Sequence, residues 1–313
     1  MYLKKLDINS ITYPQYLHHQ LTIFHQIELL KIYLPYIHII GIFNDNDELI
    51  GIFYYFKKSK WGVSYIIPPP FVPNNGLVFH TSSEKSETIY STIKELHHLI
   101  VNYFKDEEVA NYIRFVLPPQ WKDTQVFQWN QWNVKPNYTY QINLELSIDE
   151  LYNNLSSEKR KSIRKSEKDG IIIKQEKNYD IVKTLVLKTF SRQKKKINTI
   201  YLEKILNNWA NENNSFAYVA YLNNQPIATA FCVYDNSSAY YLFGGYDFEN
   251  VHHGAGVTCM WQSILKSKEL GLKVFDFEGS MLPNVEKYFR DFGGELVPYF
   301  VCEQKKGLMK FLL

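Results

Sequence analysis

Asp276 and Glu278 alternate with Phe275 and Phe277 in a short apolar run. If that run is a strand, its period of two sets both carboxylates on one face. Facing a cleft, one of them could take the proton of an amine nucleophile, or the pair could hold an ammonium group. The plainer reading is a carboxylate at a strand end that caps the next helix. Ser280 carries the same two readings, a hydroxyl of the site or an N-cap. Upstream, Gly254-Ala255-Gly256 stands where a helix should begin, and Gly244-Gly245 ends the strand before it. Glycines at a helix start offer bare backbone N–H groups, the positive end of the dipole and room for an anion to approach. That is the chemistry of a phosphate cradle, although a tight turn uses the same residues.

A second focus is basic. Arg160, Arg164 and Lys168 recur every four residues with Lys161 and Lys165 beside them, so a helix here presents a cationic stripe. Glu158 to Lys196 holds 14 Lys/Arg against 5 Asp/Glu in a chain whose overall charge is only +3, so the remainder is acidic. The stripe is either a solvated face or a dock for phosphate: a tRNA backbone, CoA or a lipid-linked pyrophosphate. Arg290, on a later helix, would pair with Asp276 or Glu278 or meet a substrate carboxylate or phosphate. His252 and His253 read as exposed loop residues. The histidines show no metal-ligand spacing, and no Ser-His-Asp or Cys-His order can be defended.

Positioning these residues takes two mixed α/β domains, 1–138 and 139–313. In the first, Tyr13 to Tyr33 reads as a helix. Ile37 to Phe43 and Leu49 to Phe56 form a hairpin across Asn44–Asp47, Trp61 to Ile67 is a strand stopped by Pro68-Pro69-Pro70, and Ser86 to Phe104 is an amphipathic helix. Trp129 to Tyr138 is aromatic and irregular. In the second, Ser147-x-x-Glu150 has the form of a capping box. Glu158 to Lys168 is the basic helix, Ile200 to Asn211 another helix, and Phe216 to Tyr234 a hairpin. A strand, the glycine loop, the helix Ala255 to Leu270, the strand Val274 to Phe277, a short helix and a last strand follow.

The 313 residues, 45% hydrophobic, suffice for two cores. Aromatics at 16% reflect either codon bias or a lined substrate groove. The near-neutral total excludes a general polyanion binder. Cys232, Cys259 and Cys302 sit among apolar residues without metal spacing, which indicates free thiols in a reducing compartment. The first residues lack an apolar signal segment, and the greasiest stretch, Leu29 to Phe43, is broken by Lys31 and Pro35. A cytoplasmic protein is expected, compatible with peripheral membrane contact.

The order strand, Gly254-Ala255-Gly256 loop, helix, strand resembles the core of the GNAT acyltransferase superfamily. There, two splayed parallel strands and the loop hold the pantetheine and pyrophosphate of acyl-CoA. The stretches YYLFGGYDFENVHHGAGVTCMWQSILKSKELGLKVFDFEGS and VEKYFRDFGGELVPYF look like the C-terminal signature of FemAB-like transferases. Arg160 to Gly170 matches their R-x-x-IRKA-x-K-x-G pattern with Ser166 at the Ala, and Pro69-Pro70-Phe71 to Gly76 resembles their PP…P…G segment. The resemblance implies tandem GNAT-like domains and direct attack by an amine on an acyl or aminoacyl donor. Its best known members pass amino acids from aminoacyl-tRNA to peptidoglycan precursors. Two positions depart from the superfamily: Val251 stands at the Gln/Arg of the pyrophosphate motif, and Phe289 stands where many members carry the Tyr that protonates the CoA thiolate.

The reading is an acyl- or aminoacyltransferase that makes an amide bond, with acyl-CoA or aminoacyl-tRNA as donor substrate and no permanently bound cofactor or metal. Its acceptor is a small or lipid-linked amine, with a cell-wall precursor as one candidate. No heptad stretch long enough for a tRNA-binding coiled-coil arm is present. The alternative is a non-catalytic GNAT-like protein that holds an anionic ligand on the basic patch. The sequence does not fix the oligomeric state.

Overall fold

A computed structural model of the chain describes residues 1–105, 110–192, 194, 196–279 and 281–307, so Ser280 lies outside the described residues. The chain forms two compact units, Met1–Asn137 together with the segment from Pro298, and Tyr138–Val297. The last strand segment, at the far end of the sequence, is thus part of the first unit.

The strands are β1 (Tyr2–Leu6), β2 (Ile37–Phe43), β3 (Leu49–Lys60), β4 (Val63–Ile67), β5 (Val78–Phe79), β6 (Tyr112–Val116), β7 (Asn133–Asn143), β8 (Ile172–Gln175), β9 (Ser215–Leu222), β10 (Gln225–Tyr234), β11 (Ser238–Tyr246), β12 (Val274–Asp276) and β13 (Glu295–Lys305). The helices are α1 (Ile27–Lys31), α2 (Ser86–Lys105), α3 (Gln125–Trp129), α4 (Ile148–Asn154), α5 (Ser157–Lys168), α6 (Tyr179–Arg192), α7 (Thr199–Glu203), α8 (Ala255–Glu269) and α9 (Pro283–Arg290).

In the first unit, neighbouring strands run β1-β2-β3-β4-β6-β13, with β5 added against β3. β4 and β6 are parallel and joined through α2, and the other pairs are antiparallel. The second unit repeats this plan as β7-β12-β11-β10-β9-β8. Its parallel pair, β11 and β12, is joined through α8. Each unit therefore contains a strand–helix–strand crossover inside a mostly antiparallel sheet, the tandem α/β arrangement expected.

The local causes are visible. Leu96, His97, Ile100, Val101 and Phe104 of α2 are buried at helical spacing against Phe53, Phe115 and Phe127. α4 starts at a capping box in which Ser147 Oγ accepts from Glu150 N at 3.2 Å and the Glu150 carboxylate accepts from Ser147 N at 2.8 Å. The second core gathers Phe275, Phe277, Phe289 and Phe292 under α8 and α9.

Two expected helices come out differently. Tyr13 to Tyr33 is not continuous: short turns at Gln15–Leu17 and Ile23–His25 precede α1. Thr22 N donates to the His25 ring, whose other nitrogen meets the Gly76 carbonyl at 3.0 Å, so tertiary anchoring of His25 breaks the run. Ile200 to Asn211 becomes α7 followed by a widened turn over Lys204–Trp209, where Ala210 N reaches back to Ile205 O.

Candidate functional site

β11 and β12 are hydrogen-bonded neighbours only from Ser238 to Tyr240 against Val274 to Asp276; there β12 stops, while β11 continues to Tyr246. On its other side β11 stays on β10, but Phe243 faces Phe231 and Tyr241 faces Cys232, leaving Leu242 as an extra residue. That is a β-bulge, which bends a strand and interrupts its ladder. It sits where the partner strand ends, so the parallel pair parts there. It also resets the alternation. Tyr241, Gly244 and Tyr246 turn toward α8, whereas Phe243 packs on Phe231 beneath α6 and Gly245 lies against the α6 backbone at Leu185 and Val186. The sequence reading ended this strand at Gly244-Gly245; both are ladder residues opposite Ala230 and Thr229, on opposite faces.

α8 begins beside the gap. Gly254 is its N-cap, and a Cβ there would collide with Ser166 Oγ and the Ser162 carbonyl of α5. The loop before it is fixed by Tyr246, whose hydroxyl donates to His252 O and accepts from His252 N, both at 2.6 Å. The His252 ring accepts from Gly254 N at 3.2 Å and contacts Asp169 Oδ2 at 3.0 Å. His252 is therefore the clamp of the glycine loop rather than the exposed residue expected. Ala255 N bonds to His252 O, but the N–H groups of Gly256 and Val257 find no acceptor among the described residues. Gly256 has space: a Cβ there would come no nearer than 3.9 Å to the Tyr288 hydroxyl and 4.0 Å to Tyr246. Two unsatisfied donors at a helix start, with room in front of them, are the physical requirement for holding an anion or a developing oxyanion.

The two carboxylates differ. Asp276, buried at the end of β12, accepts from Thr139 Oγ1 at 2.6 Å, Gln141 Nε2 at 2.7 Å and Glu278 N at 2.7 Å. Burial raises its pKa, and these donors partly offset the rise. Glu278 is not on the strand. Its φ is +65°, a left-handed conformation uncommon for a side-chain-bearing residue, so strand alternation does not govern where it points. Its carboxylate has no hydrogen bond or ion pair among the described residues. Burial first, and the Asp276 charge second, hold its pKa well above the ordinary carboxylate range. Asp276 is held by three donors, whereas Glu278 has no partner among the described residues and a raised pKa.

Sequence reasoning missed two side chains. Tyr288 lies one residue before the Phe289 compared with the superfamily, and its hydroxyl is the group beside Gly256. Burial, with Tyr241, Cys259 and Tyr246 nearby, pushes its pKa well above the ordinary phenol value. Lys159 of α5 is only 6% exposed, with Nζ 3.8 Å from the Tyr288 ring centroid and 5.1 Å from that of Phe292. Desolvation lowers its pKa to about 8 despite the Asp291 and Glu158 charges. The signal was present in the spacing: Lys159, Ile163 and Ser166 share the buried face of α5.

The remaining basic residues fall elsewhere. The Arg160 guanidinium donates to Asn153 O at 2.7 Å and to Leu155 O, closing the end of α4. Arg164, Lys165 and Lys168 lie on the exposed face of α5. Arg290 is exposed and pairs with Glu286 at 3.3 Å. The three cysteines are free and buried, with pKa values raised by desolvation. No metal-holding cluster occurs among the described residues, and no described helix is long and apolar enough to cross a membrane.

Residues 158–290, which contain this arrangement, match the family model described as an acetyltransferase (GNAT) domain. No curated protein matches the chain in sequence. Among solved structures it is similar to FemX (13% identity, TM-score 0.60, 96% of this chain and 97% of that one). It is also similar to the C-terminal domain of a putative lysylphosphatidylglycerol synthetase from Agrobacterium fabrum (10% identity, TM-score 0.58, coverage 90% and 87%). A tandem GNAT protein from the clavulanic acid biosynthesis pathway matches at 9% identity and TM-score 0.52, covering 90% of this chain and 87% of that one. At such identities the likeness is one of fold. It bears out the FemAB-like resemblance and the tandem GNAT architecture, and with the domain match it supports an acyltransferase.

Proposed function

We propose that the protein forms an amide by passing an acyl group from an acyl-CoA thioester to an amine. The observation that carries this reading is the Tyr288 hydroxyl beside Gly256, whose N–H, like that of Val257, has no acceptor among the described residues. A thioester donor needs an anion site for its phosphates, donors for the oxyanion and an acid for the departing thiolate. The amine nitrogen attacks the thioester carbonyl carbon, and the C–N bond forms as the C–S bond breaks. Glu278, without a partner among the described residues and with a raised pKa, takes the proton the nitrogen loses. Tyr288 gives its proton to the sulfur, and solvent exchange returns both groups to their starting states. Asp276 orients the Glu278 segment through the Glu278 N–H. The reaction belongs in the cytoplasm, where acyl-CoA and reduced thiols are found.

Aminoacyl-tRNA is the second donor considered, favoured by the exposed Arg164, Lys165 and Lys168. The test is thiol release and product mass with acyl-CoAs, charged tRNA and peptidoglycan-precursor amines, each offered separately. Thiol release coupled to amide formation supports the CoA reading. Product from charged tRNA alone replaces it. Ligand binding without any product from any donor favours the non-catalytic alternative.

A further inference from the structure

The hairpin β3–β4 of the first unit has no part in acyl transfer as described. On the β2 side the last bond is from Lys57 N to Tyr36 O at 2.9 Å, so Lys58 to Lys60 of β3 pair only with Val63 to Tyr65 of β4. Three residues of strand carry the tip about 10 Å further. The turn is Trp61-Gly62, with φ +51° and +76°. A two-residue turn with both residues left-handed normally takes Asn-Gly or Asp-Gly, and an indole there is strained. Trp61 is nonetheless 91% exposed, and its ring is accompanied by Lys60, whose Nζ lies 4.5 Å from the centroid. The arm from Lys57 to Ile67 contains three lysines and no acid. At its base, Leu34 and Tyr36 are 44% and 39% exposed, and Lys58 Nζ lies 4.4 Å from the Tyr36 ring.

We propose that this hairpin docks the protein on an anionic lipid bilayer, with Trp61 at the headgroup level and Lys57, Lys58 and Lys60 against the surface charge. Tryptophan favours the membrane–water boundary, where an apolar ring and an N–H are both accommodated, and lysines set just behind it meet anionic headgroups. Nucleic acid is the less fitting partner. Base stacking uses aromatic platforms lining a groove that tracks the phosphates, whereas here one indole stands exposed on a turn. A strained, solvated tryptophan contributes nothing evident to this unit's core, so its place calls for an external partner. This inference is independent of the acyl donor and acceptor.

The test is flotation of the full chain with phosphatidylcholine vesicles and with vesicles containing phosphatidylglycerol. Binding only to the anionic vesicles is expected, weakened by salt. Lys57→Gln/Lys58→Gln/Lys60→Gln should lower partitioning on the order of a hundredfold, at about fivefold per lysine. Trp61→Asn should also lower it, while leaving the thermal midpoint equal or higher because the turn is relaxed. No binding, equal binding to both vesicles, indifference to these substitutions, or preference for a single-stranded RNA over anionic vesicles would each overturn the proposal.

Discussion

Replacing Lys159 by Met separates a residue kept for stability from one kept for chemistry. Lys159 is buried, and desolvation lowers its pKa from 10.5 to about 8. At about 1.4 kcal/mol per tenfold change, that disfavours the charged form by roughly 3 kcal/mol in the folded state. The sign follows from proton binding. Between pH 8 and 10.5 the unfolded chain holds the proton and the folded chain releases it, so stability rises with pH across this window. Below pH 8 the penalty is present in full. Methionine keeps the apolar stem, removes the buried charge and forfeits a cation–π contact of about 1–2 kcal/mol with Tyr288 and Phe292. The net expectation is a variant more stable by about 1–2 kcal/mol at pH 7, or roughly 3–6 °C in Tm for a unit of this size. The gain should shrink as the pH approaches 10.5. The same variant should turn over more slowly, because the ammonium over the Tyr288 ring helps carry the phenolate formed when Tyr288 gives up its proton; Lys159→Arg should restore part of the rate. Differential scanning fluorimetry from pH 6 to 10, beside a thiol-release assay, reads both quantities. A Met variant that is less stable at pH 7, or fully active, refutes the reasoning.

Further expectations concern the same gap. Tyr288→Phe should lower kcat by about 10²–10⁴ while leaving donor affinity within a few fold, as judged by isothermal titration with the acyl-CoA. Because the Glu278 pKa is raised, its base form is lost as pH falls through that value, so kcat/KM should rise with pH along an acidic limb that Glu278→Gln abolishes at low overall rate. The same raised pKa means the folded state holds a proton the unfolded state releases, so Glu278→Gln should also remove a loss of stability on going from acid to neutral pH, seen in pH-dependent melts. Gly254→Ala, which drives a methyl into Ser166 and the Ser162 carbonyl, should cost about 1–3 kcal/mol in chemical denaturation. Gly256→Ala has room and should leave stability nearly unchanged while raising KM for the donor.

The parts of this molecule legible in its sequence are those set by local rules. The Ser147–Glu150 capping box, the α2 stripe and the succession β11–α8–β12 follow from spacing alone. The glycine loop was correctly placed at a helix start. What stayed hidden depended on contacts remote in sequence. The face of Glu278 was misread because strand alternation was extended past Asp276, where the backbone turns left-handed. Tyr288 was passed over for its neighbour Phe289, since the motif comparison fixed on one register while the hydroxyl that reaches Gly256 comes from the adjacent residue. Arg160 looked like part of a cationic dock because nothing local revealed that its guanidinium caps the carbonyls of α4. The break of Tyr13 to Tyr33 into turns required knowing that His25 would find Gly76.

Leu242 is a surplus residue in β11. A strand one residue shorter would still show Tyr241, Gly244 and Tyr246 to α8 and Phe243 and Gly245 to α6, because the surplus residue is spent entirely in the kink. Deleting a single codon would therefore leave the hydrophobic pattern intact and straighten the ribbon. The opening on which the proposed acyl transfer depends can thus be gained or lost in a descendant without rewriting its core.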